Sequence, residues 1–199
     1  ILLSHLGMSG KWTLDANDCE GKHDHVVIHL DDGSMSVYND PRRFGVLDIY
    51  RGDSHKLLDQ LGPEPLEEWT ANDLFQKLQR RKSPIKICIL DQKVVVGVGN
   101  IYVCEALNRS KISPIRISNK ITLKECAILV NEIKIILAEA IQAGGSTLRD
   151  FAGVDGTLGY FPHQFKVYDK EGSGCECGGI VERLIQGGRA TFWCASCQK

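Results

Sequence analysis

Positive charge in excess is the first thing this sequence does not have. Its 199 residues carry 24 Lys and Arg against 25 Asp and Glu, a formal net charge of −1. That balance excludes a broadly basic coat and confines any nucleic-acid contact to a local surface. No apolar run approaches the roughly 20 residues that cross a bilayer, and the opening residues show neither the basic flank nor the cleavage pattern of a secretory signal. The expectation is a soluble globular protein of the cytoplasm. An initiator methionine and a cap are also missing from the opening I-L-L-S-H-L-G-M-S-G, so the chain is expected to start inside a strand, with a segment ahead of it. What is present is enough apolar material, 43% of the residues, to bury a core in one large domain or in two or three small ones.

The stretch from Ser83 to Leu107, S-P-I-K-I-C-I-L-D-Q-K-V-V-V-G-V-G-N-I-Y-V-C-E-A-L, organises the rest. Ser83 as N-cap and Pro84 at the first helical position predict a helix to about Asp91. Asn100 is the N-cap candidate of a second helix that carries Ile101, Glu105 and Leu107. Between them, Val94 to Gly99 is too apolar for a solvated loop, and Gly97 and Gly99 permit positive φ and close backbone approach. A buried double turn should therefore bring a helix N-terminus and the Asn100 side chain to one surface point, where an anion would sit well. Close packing of two helices would account for the same glycines, and G-x-G alone does not decide between the two.

Ahead of this stretch, Val26 to Leu30 and Ser34 to Tyr38 read as strands around the hairpin signal Asp31-Asp32-Gly33, and Val46 to Tyr50 as another. They point to part of an antiparallel β sandwich or barrel. Two loops interrupt it: H-L-G-M-S-G, with Met8 between glycines, and D-P-R-R-F-G, with Arg42, Arg43 and Phe44 on a proline turn; the plain reading of the residues makes Met8 and Phe44 core and the arginines a solvated face. Leu61-Gly62-Pro63-Glu64-Pro65 breaks the composition and sets the domain spans at 1–60, 61–160 and 161–199. Thr70 with Asp73 and Thr122 with Glu125 are capping pairs. The first opens a helix that buries Leu74 and Leu78 and ends in the cationic Arg80-Arg81-Lys82. The second opens a core helix with Leu123, Ala127, Val130, Ile133, Leu137 and Ile141 at helical spacing, stopped at Gly144-Gly145. Ser146-Thr147 should cap a short helix through Phe151, followed by a glycine-rich loop from Ala152 to Phe161.

Of the eight cysteines, Cys19, Cys88, Cys104 and Cys126 are scattered, whereas Cys175, Cys177, Cys194 and Cys197 bracket a hairpin of Ile180 to Ile185 and Ala190 to Trp193. Pairing at the two ends of a hairpin suggests one structural zinc ion rather than disulfides. The first pair is separated by one residue where two to four are usual, so either Cys175 reaches the metal through a distorted turn or another residue supplies the fourth ligand. Arg189 sits at the hairpin tip, away from the cysteines, and is a suitable bidentate phosphate clamp.

In order along the chain, H-L-G-M-S-G, D-P-R-R-F-G, V-V-G-V-G-N-I-Y, V-D-G-T-L-G-Y-F and the cysteine hairpin resemble the formamidopyrimidine-DNA glycosylase family, over nearly the whole length. The resemblance implies an α+β fold: the remnant of an N-terminal antiparallel β-sandwich, a helix-two-turns-helix domain and a zinc-finger β-hairpin. It implies base-excision repair of double-stranded damaged DNA by a monomer, with oxidised purines flipped out and excised and the strand then cleaved. Met8 and Arg42 would fill the hole left by the flipped base, and Phe44 would wedge the stack. His5 and His23 would contact the DNA backbone, Lys82 would touch DNA, Lys86 would lie close to the lesion, and Asn100 would hold a phosphate. Arg189 would grip the phosphates at the lesion and take part in the final, proton-donating elimination. The basic residue that some members carry in the glycine-rich loop is Thr157 here. The family's nucleophile is the amine of an N-terminal proline, followed by a catalytic glutamate, with a strand lysine further on. None of these occurs in this sequence, so the 199-residue chain alone is expected to bind DNA weakly and to cut nothing. An endonuclease VIII-like preference for oxidised pyrimidines, and a non-catalytic zinc-dependent DNA-binding fragment, are the two other readings.

Overall fold

Why the chain forms the elements it does is clearest in its caps. The computed structural model describes residues 1–14, 21–144 and 165–199, and Thr70 and Thr122 each close a complete capping box, with Asp73 and Glu125 respectively. The first starts α1 (Ala71–Gln79) and the second α4 (Leu123–Gln142). Each box satisfies two amides that a helix start otherwise leaves bare. Between these helices lie α2 (Ile85–Ile89) and α3 (Asn100–Arg109). Cys19, the short helix expected after Ser146, and the glycine-rich loop with Thr157 lie outside the described residues.

The chain divides into two compact units. The first, Ile1–His55, is all strand and turn among its described residues. Strands β1 (Leu2–His5) and β5 (Val46–Ile49) pair antiparallel, and β2 (Lys11–Thr13), β4 (Met35–Asn39) and β3 (Asp24–His29) form a three-stranded sheet in the order β2-β4-β3. The expected hairpin joins β3 to β4. Its turn is held by Asp32, whose Oδ1 accepts the Ser34 N–H at 2.9 Å.

The second unit holds Lys56–Ala143 and the described residues 165–199. Its core is built from Trp69, Leu74, Leu78, Ile85, Ile89, Leu107, Leu129 and Ile133, all essentially sealed from solvent. The double turn is buried as its composition requires: Val94, Val95 and Val98 are wholly enclosed. Gly62 packs so tightly on it that an added Cβ would stand 2.7 Å from the Val94 carbonyl carbon. A β-hairpin of β6 (Glu182–Gln186) and β7 (Arg189–Trp193) completes the unit. Its turn uses Gly187 and Gly188 at φ 55° and 73°, and Gly187 lies against Ile87 of α2.

Three local expectations shift. Pro84, not Ser83, is the N-cap of α2, and the Ser83 hydroxyl instead lies 3.1 Å from Cys88 Sγ. Gly99, at φ −78°, is the N-cap of α3 and Asn100 its first helical residue, so the asparagine amide is released for other contacts. On α4 the buried face runs through Cys126, Leu129, Ile133, Ile136 and Ala140, with Val130 and Leu137 beside it, while Leu123 and Ile141 are 44% and 66% exposed. The helix is apolar on more than one face, so the spacing alone admitted two phases.

Candidate functional site

In the first unit, the two interrupting loops are joined at one carboxylate. Asp40, at the end of β4, accepts the Ser9 hydroxyl at 2.7 Å and the Arg42 N–H at 3.3 Å on Oδ1, and the Gly45 N–H at 2.8 Å on Oδ2. Its carbonyl lies 2.9 Å from His25 Nε2. The Ser9 hydroxyl bond, supported by the Gly45 and Arg42 amides, outweighs the cost of burial and depresses the Asp40 carboxyl to about 2. Gly7 completes the junction: it sits at φ 65°, and a Cβ there would fall 2.6 Å from the Phe44 carbonyl carbon. On this base Met8 and Phe44 remain 64% and 55% exposed, which removes them from the core. The Arg42 guanidinium lies over the Phe44 ring, 4.8 Å from its centroid, a cation–π contact. Arg43 takes φ 53°, a left-handed conformation that is costly for a residue with a Cβ. His5, exposed at the end of β1, accepts the Gly7 N–H on Nδ1 at 3.1 Å, which leaves Nε2 to carry the ring proton when the imidazole is neutral. His23 is half-buried, with its carbonyl accepting the Asp40 N–H.

In the second unit, a different set converges on the hairpin. No side chain caps the first turn of α3, so that turn keeps the bare amides of a helix N-terminus. The Asn100 Nδ2 donates to the Ala190 carbonyl at 3.0 Å and to the Tyr168 hydroxyl at 3.4 Å. Its Oδ1 is buried and has no partner among the described residues. Lys86, from α2, reaches the same carbonyl: its Nζ donates to Ala190 O at 3.1 Å and to Thr191 Oγ1 at 2.7 Å. The lysine is fully enclosed. Burial pushes its ammonium below the ordinary lysine range, and the nearby Arg189 charge adds to this. Two side chains thus hold the backbone beside Arg189, which is itself exposed at the tip. Lys82 is exposed between α1 and α2.

The four hairpin cysteines come together. The Sγ atoms of Cys175, Cys177, Cys194 and Cys197 all lie within 4.8 Å of one another, with Cys175 to Cys197 at 3.9 Å and Cys177 to Cys194 at 3.6 Å. A tetrahedron of thiolates with Zn–S of about 2.3 Å has S···S edges of about 3.8 Å, so the donor set fits such an ion. Cys175 joins despite the one-residue spacing, through a turn in which its N–H donates to the Gly179 carbonyl and its carbonyl accepts the Gly178 N–H. Burial opposes ionisation of Cys194, but the Ser196 and Cys197 amides outweigh it and bring that thiol to about 7. Burial and the neighbouring thiols push Cys197 up to about 12. Four sulfurs so placed ionise together only around a cation.

Two further residues carry the geometry and were given no such role from the sequence. Asp40 is one. Glu105, on the buried side of α3, is the other: its Oε1 accepts the Val167 and Tyr168 amides at 3.0 and 2.8 Å, and its Oε2 accepts the Lys166 amide at 2.8 Å. A carboxylate inside the V-C-E-A-L run is the signal that could have found it, since a buried charge demands partners.

Residues 1–47 match the model of the formamidopyrimidine-DNA glycosylase N-terminal domain and residues 61–152 that of the formamidopyrimidine-DNA glycosylase H2TH domain. The formamidopyrimidine-DNA glycosylase of Roseobacter denitrificans is 48% identical over 214 residues, covering all of this chain and 76% of the relative. That of Rhizorhabdus wittichii is 47% identical, with 75% of its length covered. Among solved structures, the MutM (Fpg) protein of Thermus thermophilus superposes with a TM-score of 0.87 at 40% identity, over 99% of this chain and 75% of that one. Lactococcus lactis Fpg in complex with DNA containing an abasic site gives 0.87 at 34% identity, over 100% of this chain and 74% of that one. No described helix is long and apolar enough to cross a membrane.

Proposed function

The chain belongs to the formamidopyrimidine-DNA glycosylase family, and from that premise we propose that it serves base-excision DNA repair as a DNA glycosylase and abasic-site lyase acting on oxidised purines in duplex DNA. The observation that carries the reading is the pair of exposed apolar side chains, Met8 and Phe44, standing on loops that Asp40 locks to each other. Exposed apolar groups on a fixed base are suited to entering a base stack, where they recover part of the few kcal/mol that unstacking costs. Arg42 stacks on Phe44 with its guanidinium donors available for an unpaired base.

The residues of the second unit take the phosphates. Arg189 presents a bidentate donor, and the first turn of α3 adds backbone amides and the positive end of a helix dipole. Asn100 contributes its N–H there, while its side-chain amide, with buried Lys86, keeps the hairpin tip in place. Lys82, His5 and His23 are assigned to the DNA backbone. A single structural zinc ion held by Cys175, Cys177, Cys194 and Cys197 supplies the hairpin with rigidity. All four ligands are protein thiolates, so no position is open for a catalytic water. Within residues 1–199 the groups named here bind and orient the DNA, and Arg189 is assigned to the proton-donating elimination. The acting form is a cytoplasmic monomer.

The test is binding by fluorescence anisotropy to a duplex carrying an abasic-site analogue and to the intact duplex. The zinc-loaded chain should prefer the former, and Phe44→Ala and Met8→Ala should each lower that preference about tenfold, a loss of about 1.4 kcal/mol, with unchanged thermal midpoint. Equal affinity for the two duplexes would defeat the reading.

A further inference from the structure

A concave surface of about 430 Å³ lies in the second unit, away from the hairpin residues, lined by Gln76, Lys77, Arg80, Arg81 and Lys93. Its walls are built. The Lys77 ammonium donates to the Lys93 and Val94 carbonyls at 2.7 and 3.3 Å, which ties α1 to the double turn. Arg81, which lines the hollow, pairs with Asp91 at 2.7 Å and so neutralises that acid. Arg80 and Lys93 carry no ion pair among the described residues and are exposed. Arg80 has an ordinary explanation, because a cation at a helix C-terminus complements the dipole. Lys93 comes from the turn just ahead of the double turn, not from α1; its charge also acts on Asp91, and it faces the same hollow. Four of the five lining residues, Lys77, Arg80, Arg81 and Lys93, are basic in a chain whose net charge is −1, so positive charge is locally concentrated at this hollow.

We propose that this cleft is a second phosphate seat, in which Arg80 and Lys93 take a backbone phosphate of the duplex away from the lesion. The proposal rests on the DNA-binding reading above. Cations converging from two segments onto a hollow recognise a phosphodiester by charge, without reading sequence, and so extend the length of duplex held.

The salt dependence of binding separates this from its alternatives. With the zinc-loaded chain and a damaged duplex, each phosphate neutralised contributes about 0.9 to the slope of log Kd against log salt. The Arg80→Ala/Lys93→Ala variant should therefore have a slope shallower by about 0.9, whereas Lys124→Ala, an exposed charge change on α4, should run parallel to the wild type. A slope loss of about 0.9 means that between about 50 and 200 mM salt the wild type loses about 3.5-fold more affinity than the double variant. Parallel slopes for the double variant, or an equal change in Lys124→Ala, would overturn the phosphate seat while leaving the DNA reading intact. If inorganic tripolyphosphate raises the thermal midpoint of the wild type but not of the double variant, and the DNA slopes stay parallel, the cleft takes small anions and the duplex assignment is wrong. Failure of the wild type to bind the duplex at all would remove both the reading and the inference.

Discussion

Replacing Glu105 by glutamine changes one oxygen for one NH2 group in a fully enclosed site, and its cost can be worked out contact by contact. The Oε2 bond to the Lys166 amide at 2.8 Å becomes donor against donor, losing about 1.5–3 kcal/mol. The two bonds to Oε1 from Val167 and Tyr168 survive but pass from charge-assisted to neutral, at roughly half their strength. Part of this loss is returned, because an amide is less costly to bury than a carboxylate. Turning the amide over is worse, because it leaves both the Val167 and the Tyr168 amides facing a donor. The net expectation is a destabilisation of about 2–4 kcal/mol, which at a urea m-value of about 2 kcal/mol/M lowers the midpoint by about 1–2 M. Because Lys166 to Tyr168 leads into the hairpin, the variant should also release zinc to a chelator faster than the wild type. A urea midpoint within about 0.3 M of the wild type, followed by far-UV circular dichroism, would show that Glu105 does not tie α3 to the hairpin segment.

Cys175→Ser should lose most of the bound metal when zinc per chain is measured after dialysis, while Cys88→Ser, buried far along the sequence from the hairpin, should keep it; full retention in Cys175→Ser would remove that cysteine from the ligand set. The Asp40 carboxyl is depressed to about 2, so its contribution is present above the unfolded value of about 3.9 and is lost as pH falls through about 2. The Gly45 amide, which donates to Asp40 Oδ2, should therefore titrate by NMR with a midpoint near 2, and a midpoint of about 4, the ordinary carboxyl value, would mean that the loops are not held as described.

What the sequence made legible follows local physics. Both capping boxes, the glycine turn of the cysteine hairpin and the buried valines of the double turn are written in adjacent residues, where period and turn chemistry suffice. The glycines and the proline turn marked the loops of Met8 and Phe44, but apolar side chains there read more plainly as core, and their exposure became visible only in the structure. What escaped was set by partners distant in the chain. Lys86 reads as a surface cation in P-I-K-I, yet its ammonium is buried on residues more than a hundred positions away. Nothing within α2 foretells that. Cys175 looked doubtful on spacing alone, because spacing reports the usual turn and not the one made with Gly178 and Gly179. On α4, two overlapping apolar stripes left the phase open until α1 and α3 chose the buried face.

The net charge of −1 then ceases to weigh against a nucleic-acid partner. Screening in about 0.1 M salt acts over about 10 Å, so a duplex responds to the charges it lies against and hardly to the total. The acids nearest the cationic flank are already spent: Asp91 on Arg81 and Asp73 on the Thr70 cap. Glu125, Glu139 and Glu176 are likewise committed to Arg116, Arg109 and Lys166. These pairs cancel charge one for one and leave the total unchanged, but among the described residues they leave Arg80, Lys82, Lys93 and Arg189 exposed. A chain balanced in composition therefore still carries local positive charge at these positions, and it is the local surface that a phosphate backbone meets.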